Sequence, residues 1–389
     1  MGLFKKYICL LVILILTIEL VTSAWAPLHL AEPIGKIPNS YIVVLKDNCD
    51  EVDLSDVIAR VETQGRLFKF DLKVTDKYVT VFRGFALEIS ERFISTIRSI
   101  EKVDYIQEDN LVEAQQGSIP WNLDRIDQRD LPLDGVYNPA GDGTGVSAYV
   151  VDTGIRYSHI EFNGRASSFY DYESGDGSDC NGHGTHGAGV VAGQNYGVAK
   201  NAQLYSVRVL NCIGSGSTSM IVGGLDYIAT NGNTPGVASL AIGGGPSTAL
   251  DNAARGVIAA GIQLSIAAGG GGTSACNFSP ARIAEGITVG GTDSGDNIAS
   301  SSNTGPCVDV FAPSVSITSA WHTTDTDYRT LSGTSSAAAH AAGVLAIILQ
   351  DNPNLTSQEV KDQLLGDATA GRLNNVPADT ANLLVHTSA

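Results

Sequence analysis

Basic side chains are the scarce component of this chain. Its 389 residues carry 24 Lys and Arg against 41 Asp and Glu, a formal charge of −17. Nucleic acid and anionic bilayers attract the opposite balance, so neither is an expected partner. Long apolar runs are also scarce. One run, over residues 7–18, follows Lys5 and Lys6 and is interrupted by Glu19. It is too short to cross a bilayer, which takes about 20 residues. Ala24-Trp25-Ala26 behind it has the small-x-small form of a cleavage site, so residues 1–24 read as a signal peptide. No second run is long enough to span, and the processed protein is expected to be secreted, extracellular and soluble. Internal repeats and low-complexity tracts are lacking. Hydrophobic residues make up 43% of the chain, enough for a sizeable core. The length suits one large α/β domain plus a smaller unit.

Cysteine is used sparingly, at six positions. Cys9 leaves with the signal peptide. Cys180, Cys212, Cys276 and Cys307 form an even set for an oxidising compartment. Four cysteines allow three pairings, and arithmetic does not choose among them. Asn277-Phe278-Ser279 and Asn354-Leu355-Thr356 are glycosylation sequons if the host is a eukaryote.

Residues 41–112 alternate in a compact way. Strands are expected over 41–45, 78–82, 84–89 and 103–106, with helices over 54–61 and 94–100. The order β-α-β-β-α-β is that of a ferredoxin-like α+β module. A polar linker over 110–120 follows. Beyond it, strands are expected over 146–151, 204–209, 237–242, 263–267 and 287–290. Helices are expected over 183–192, 219–228, 249–260 and 335–349. Such alternation implies an α/β fold, a doubly wound and mostly parallel sheet with helices on both faces. Working residues then lie at the carboxyl ends of strands, where Asp152 falls.

Three segments carry chemistry. Val150-Val151-Asp152-Thr153-Gly154 ends a strand on an acid. Asn181-Gly182-His183-Gly184-Thr185-His186 places a histidine at a helix start. Gly333-Thr334-Ser335 opens an Ala-rich helix on a serine. A serine hydroxyl barely ionises at neutral pH and needs a base. His183 can take its proton, and Asp152 can hold the imidazole and stabilise its charged form. A helix starting at Ser335 aims its backbone N–H at a developing oxyanion. Each segment alone has a plainer reading: a turn-forming acid, a flexible glycine loop, an N-cap. Taken together, the order Asp, His, Ser is one known for a hydrolytic triad.

At these residues the chain resembles the subtilisin-like serine proteases, most closely the proteinase K and aqualysin-type branch. DRIDQRDLPLDG (124–135), YVVDTGIRYSHIEF (149–162), CNGHGTHGAG (180–189), YGVAK (196–200) and NFSPAR (277–282) carry the likeness. The resemblance implies a serine endopeptidase of broad specificity, acting as a monomer on protein or peptide substrates through an acyl-enzyme. It implies an inhibitory propeptide over 40–114, which holds Cys49 and is cut near Ala114-Gln115. The peptidase domain would then run over 115–389, without the C-terminal extension of some relatives. It implies disulfides Cys180–Cys212 and Cys276–Cys307. Substrate would lie between Gly214-Ser215-Gly216 and Leu240-Ala241-Ile242-Gly243, with Ala267-Ala268-Gly269 as one wall of the S1 pocket. No cofactor is implied for catalysis. Structural calcium is implied at Asp309 with the Ala284 and Gly286 carbonyls, and at Asp124, Asp127 and Gln128.

The pattern breaks beside the nucleophile. The family follows Ala-Ala-Gly with an asparagine whose amide donates to the oxyanion. Here Gly270 stands in that place. Ser336 replaces the family's methionine, Ala339 its helix proline, and Ala241 a usual serine. Two expectations follow: a slowed protease, or an impaired homologue that binds peptides or a partner protein through the same cleft.

Overall fold

A computed structural model describes residues 25–30, 36–110 and 119–387. The signal peptide, Cys9, the Ala114-Gln115 junction and residues 111–118 of the linker lie outside the described residues. The chain divides into two units, Met1–Gln116 and Gly117–Ala389.

The first unit runs β1 (Leu28–His29), β2 (Lys36–Leu45), α1 (Glu51–Phe68), β3 (Leu72–Tyr78), β4 (Gly84–Ile89), α2 (Ile94–Arg98) and β5 (Val103–Asn110). Its sheet has the order β1-β5-β2-β4-β3. From β2 onward the elements follow the ferredoxin-like order. Helix α1 starts at a reciprocal cap, in which Asp50 accepts from the Val52 and Asp53 amides and Asp53 accepts from the Asp50 amide. Leu54, Val57, Ile58, Val61 and Gly65 recur at helical spacing and form its buried face. The strand expected over 78–82 is displaced. Val79, Val81 and Phe82 form an exposed connection, and the strand lies over Leu72–Tyr78. Leu72 and Val74 pack onto the core from there, so inward alternation outweighs the β-branched residues after Tyr78. Cys49 is a half-buried free thiol in this unit.

The second unit continues with α3 (Trp121–Ile126), β6 (Ser147–Asp152), β7 (Ala166–Asp171), α4 (His183–Ala192), β8 (Gln203–Arg208), α5 (Thr218–Asn231) and β9 (Gly236–Leu240). Then come α6 (Thr248–Ala259), β10 (Ile262–Ala267), β11 (Ile287–Thr292), β12 (Val310–Pro313), β13 (Ile317–Ala320), β14 (Tyr328–Leu331), α7 (Thr334–Asp351), α8 (Ser357–Asp367), β15 (Thr369–Ala370) and β16 (Leu383–Leu384). Nine strands form a sheet of order β15-β16-β12-β11-β10-β9-β6-β8-β7, parallel except for the β15–β16 pair. β13 and β14 form a separate hairpin.

Every residue of β6 is buried, because the sheet is covered on both faces. Ala148 and Val150 join a core that includes Val190 and Val191 of α4 and Leu345 of α7. Tyr149 and Val151 point the other way, into a core with Leu225 of α5 and Val257 of α6. Helix α7 is buried nearly all round, which its alanines allow. The strand order reverses about β6, with β8 and β7 on one side and β9 to β12 on the other. In open α/β sheets the ligand crevice lies at such a reversal, outside the carboxyl ends of the strands.

Candidate active site

Asp152 is the last residue of β6 and is fully buried. His183 is the first residue of α4. Its Nδ1 donates to the Asp152 carboxylate, at 2.7 Å from Oδ2 and 2.9 Å from Oδ1. The Asp152 carboxylate pushes the imidazole up to about 9, against an opposing effect of burial. Glycines make the approach possible. A Cβ on Gly184 would stand 2.2 Å from the Gly154 carbonyl oxygen. A Cβ on Gly182, whose φ is +112°, would meet the Trp321 ring at 2.3 Å.

Asp179, which the sequence reading passed over, holds this arrangement in place. Its Oδ1 accepts from the Asn181 and Gly182 amides and from the Thr153 hydroxyl. Its Oδ2 accepts from the Thr185 amide and hydroxyl. The Thr153 oxygen accepts from the Gly184 amide in turn. An acid just ahead of a helix is a legible capping signal, and here it also links strand end to helix start. The other nearby histidines are held otherwise. Burial lowers His186 to about 4, with Nε2 donating to the Ile317 carbonyl. Burial also lowers His340 to about 4, between the Ser336 carbonyl and the Asn122 amide.

Ser335 sits in the first turn of α7 and is half-buried. Its hydroxyl donates to the Ala241 carbonyl at 3.0 Å. Ser335 and His183 line one cavity of about 230 Å³, together with His186, Leu331 and Ser336. Gly270 and Ser335 line a second cavity, of about 290 Å³, with Ala267, Ala268, Gly269, Phe278 and Ala281. Its walls are mostly apolar. A third cavity, of about 530 Å³, runs from His183 along Gly214, Ser215 and Gly216 to Ala241, Ile242 and Gly243. Leu210 and Ile221 add apolar surface to it. Leu240 lines none of the three. It is fully buried at the end of β9, so the cleft edge begins at Ala241.

The glycine loop after β10 is fixed by the buried side chain of Asn303. Its Nδ2 donates to the Ala268 carbonyl, and its Oδ1 accepts from the Gly271 and Thr273 amides. The Gly269 amide donates to the Thr334 hydroxyl oxygen, which ties the loop to the start of α7. A Cβ on Gly270 would meet nothing nearer than the Ser301 carbonyl oxygen at 4.0 Å. The position is a gap at the edge of the cavity that also holds Ser335.

The model of the subtilase family, Peptidase S8, matches residues 143–382. The chain belongs to the subtilase family. The model of peptidase inhibitor I9 matches residues 40–115, so this subtilase carries its own inhibitory propeptide unit. The chain is 44% identical over 379 residues to the extracellular serine proteinase of Thermus sp. (strain Rt41A), covering 93% of this chain and 92% of that protein. It is 45% identical over 325 residues to alkaline serine exoprotease A of Vibrio alginolyticus, covering 81% of this chain and 60% of that one. A crystal structure of a cold adapted subtilisin-like serine proteinase matches with a TM-score of 0.68 and 49% identity, over 70% of this chain and all of that chain. The fold is thus the subtilisin-like one. No helix among the described residues of this subtilase is long and apolar enough to cross a membrane.

The structure joins Cys180 to Cys212 and Cys276 to Cys307. The first bridge lies between the His183 loop and the Gly214 edge, and the Asn181 side chain bonds the Cys212 carbonyl beside it.

The two expected calcium sites differ. At the first, the Lys361 ammonium stands among Asp309, Ala284 and Gly286, which corrects the expectation of calcium there. Nζ lies 2.8 Å from Asp309 Oδ1, 2.8 Å from the Ala284 carbonyl and 2.7 Å from the Gly286 carbonyl. A divalent ion does not fit beside that charge. At the second, Asp124 accepts from the Asp134 and Gly135 amides, and Gln128 from the Asp134 amide. Asp127 Oδ2 accepts from the Asn138 amide, but Oδ1 is buried with no hydrogen-bond partner. An orphaned carboxylate oxygen beside a second carboxylate suits a hard cation.

Proposed function

We propose that this subtilase, a serine-type endopeptidase, is secreted and cleaves extended, apolar peptide segments through Asp152, His183 and Ser335. The observation that carries the reading is the bond from His183 Nδ1 to the buried Asp152 carboxylate, at 2.7 Å. In the neutral imidazole that bond keeps the proton on Nδ1 and leaves Nε2 able to accept one, on the side of the ring that can face a nucleophile. Ser335 attacks the scissile carbonyl, and His183 takes the hydroxyl proton. Asp152 stabilises the imidazolium without itself becoming protonated. His183 then returns the proton to the leaving amine, and water releases the acyl group by the same steps. Before attack, the Ser335 hydroxyl must leave the Ala241 carbonyl.

Substrate lies against the Gly214 and Ala241 edges as an added strand. Ala267 and Ala268, with Phe278 and Ala281, give S1 an apolar wall. The Ser335 amide stabilises the oxyanion, but Gly270 has no side-chain donor to add. In a subtilisin, loss of that donor costs about 10²–10³ in kcat, or about 2.7–4 kcal/mol. A slow protease follows, with the N-terminal unit as its inhibitor until the junction near Ala114-Gln115 is cut. Asp127, Asp124 and Gln128 would hold a structural calcium ion.

Hydrolysis of a chromogenic peptide with an apolar P1 residue tests this reading. Wild type is expected to exceed Ser335→Ala clearly. Equal rates would support the peptide-binding homologue instead, a reading favoured by the Ser335–Ala241 hydrogen bond.

A further inference from the structure

Helix α8 begins at a Thr356/Glu359 capping box and carries Lys361 in its second turn. Only 9% of the lysine side chain is exposed. An ammonium has three N–H donors, and three oxygens surround this one: two main-chain carbonyls and one carboxylate. The carboxylate is fixed on its other side, because Asp309 Oδ2 accepts from the Thr288 amide at 2.8 Å. Without a cation, two carbonyl dipoles and a carboxylate would face one another with no donor, which is costly in a half-buried place.

The cradle lies behind the S1 pocket. Residues 278–286 run from Phe278 and Ala281, which line that pocket, to Gly286 at the start of β11. The segment is held from α6 as well, where Arg282 pairs with the buried Asp251 carboxylate at 2.6 Å. A Cβ on Gly286 would stand 2.5 Å from the Ile266 Cδ1, so the segment packs closely on β10.

We propose that Lys361 is a tethered cation that takes the place of a metal ion in this cradle. It holds the rear of the S1 wall independently of calcium, and its removal exposes a latent divalent-cation site. The Ala284 and Gly286 carbonyls and the Asp309 carboxylate are hard oxygen donors, and truncating the lysine gives the ion room.

The test uses the full chain carrying Ser335→Ala, which prevents self-digestion and makes every readout independent of turnover. Calcium binding is counted by titration calorimetry, and Tm is read in EDTA and in millimolar Ca²⁺. Lys361→Ala is expected to lower Tm in EDTA by roughly 5 °C or more. It should bind one Ca²⁺ more than the parent and regain part of the lost Tm with it. Adding Asp309→Asn should abolish the extra site. Lys361→Met fills the space without charge and should be destabilised with no rescue. Any ion at Asp127 is common to all these variants and cancels in the difference. The proposal is overturned if Lys361→Ala gains no Ca²⁺. It is equally overturned if Asp309→Asn, with Lys361 present, removes a Ca²⁺ that the parent bound. That last comparison stands even if Lys361→Ala does not fold.

Discussion

On the histidine side of the cleft, polar groups hold one another. Asp179 fixes the Thr153 and Thr185 hydroxyls and the amides that open α4, while Asp152 orients His183. On the serine side, small residues stand where donors or bulk would be expected. Gly270 offers no side-chain amide, Ser336 and Ala241 are small, and the Ser335 hydroxyl rests on a carbonyl. In the proposed mechanism the base is fully equipped, whereas the groups that would meet the tetrahedral intermediate are pared down. The proton-transfer side and the oxyanion side of such a cleft are therefore separable. Proton transfer and oxyanion binding use different atoms, and one can weaken while the other stays intact.

The sharpest way to break this contrast is Ser335→Ala. In a subtilisin, loss of the nucleophile costs about 10⁶ in kcat. If about 10²–10³ is already missing at Gly270, the expected fall is about 10³–10⁴. A full 10⁶-fold fall, measured by initial rates on a chromogenic peptide, would show that the serine side is not impaired. The next largest effect is a gain. Gly270→Asn is expected to raise kcat by about 10² or more with little change in KM, because the new donor acts on the transition state. Open space around the Cβ position makes the change sterically tolerable. No gain would mean that the loop already supplies a second donor.

Much of this contrast was legible in the sequence, because it depends on residue identity at strand ends and helix starts. Helix α4 begins and ends as expected from GHGTH and its alanines, and Asp152 falls at the end of its strand. The departures at Gly270 and Ser336 needed only the alignment implied by the motifs. Short edge elements were less readable. β12 to β16 are two to four residues each and lack a repeating pattern. Helix α8 was missed although Thr356-Ser357-Gln358-Glu359 is a capping-box signature. With it went Lys361, and no local signal could show that its ammonium reaches carbonyls 75 and 77 residues away. The same holds for Asp127 Oδ1, whose lack of a partner is a property of the folded chain alone.

A smaller effect is expected on the histidine side. Asp179→Ala leaves the Thr153 and Thr185 hydroxyls and the opening amides of α4 without their acceptor. Stranding partly buried donors costs about 1–3 kcal/mol. The expected result is a drop in Tm of roughly 3–10 °C, read in the Ser335→Ala background, and a loss in kcat of about tenfold. Asp179→Asn should lose less, because its amide oxygen can still accept. If both variants match wild type, the bracing of α4 is redundant and the contrast between the two sides narrows.

The subtlest effect concerns pH. Only neutral His183 can accept the Ser335 proton, and the Asp152 carboxylate raises the imidazole to about 9. The rate is therefore expected to climb with pH and to level off only above about 9. Asp179 also raises the imidazole, though less than Asp152 does. Asp179→Asn should thus move the midpoint of kcat/KM to lower pH and increase the fraction active at pH 7. Gly270→Asn should raise the plateau and leave the midpoint in place, since its amide is uncharged and acts on the oxyanion. A midpoint that moves with Gly270→Asn but not with Asp179→Asn would mean that the two sides of the cleft are electrostatically coupled, and that their separation into base and oxyanion halves is wrong.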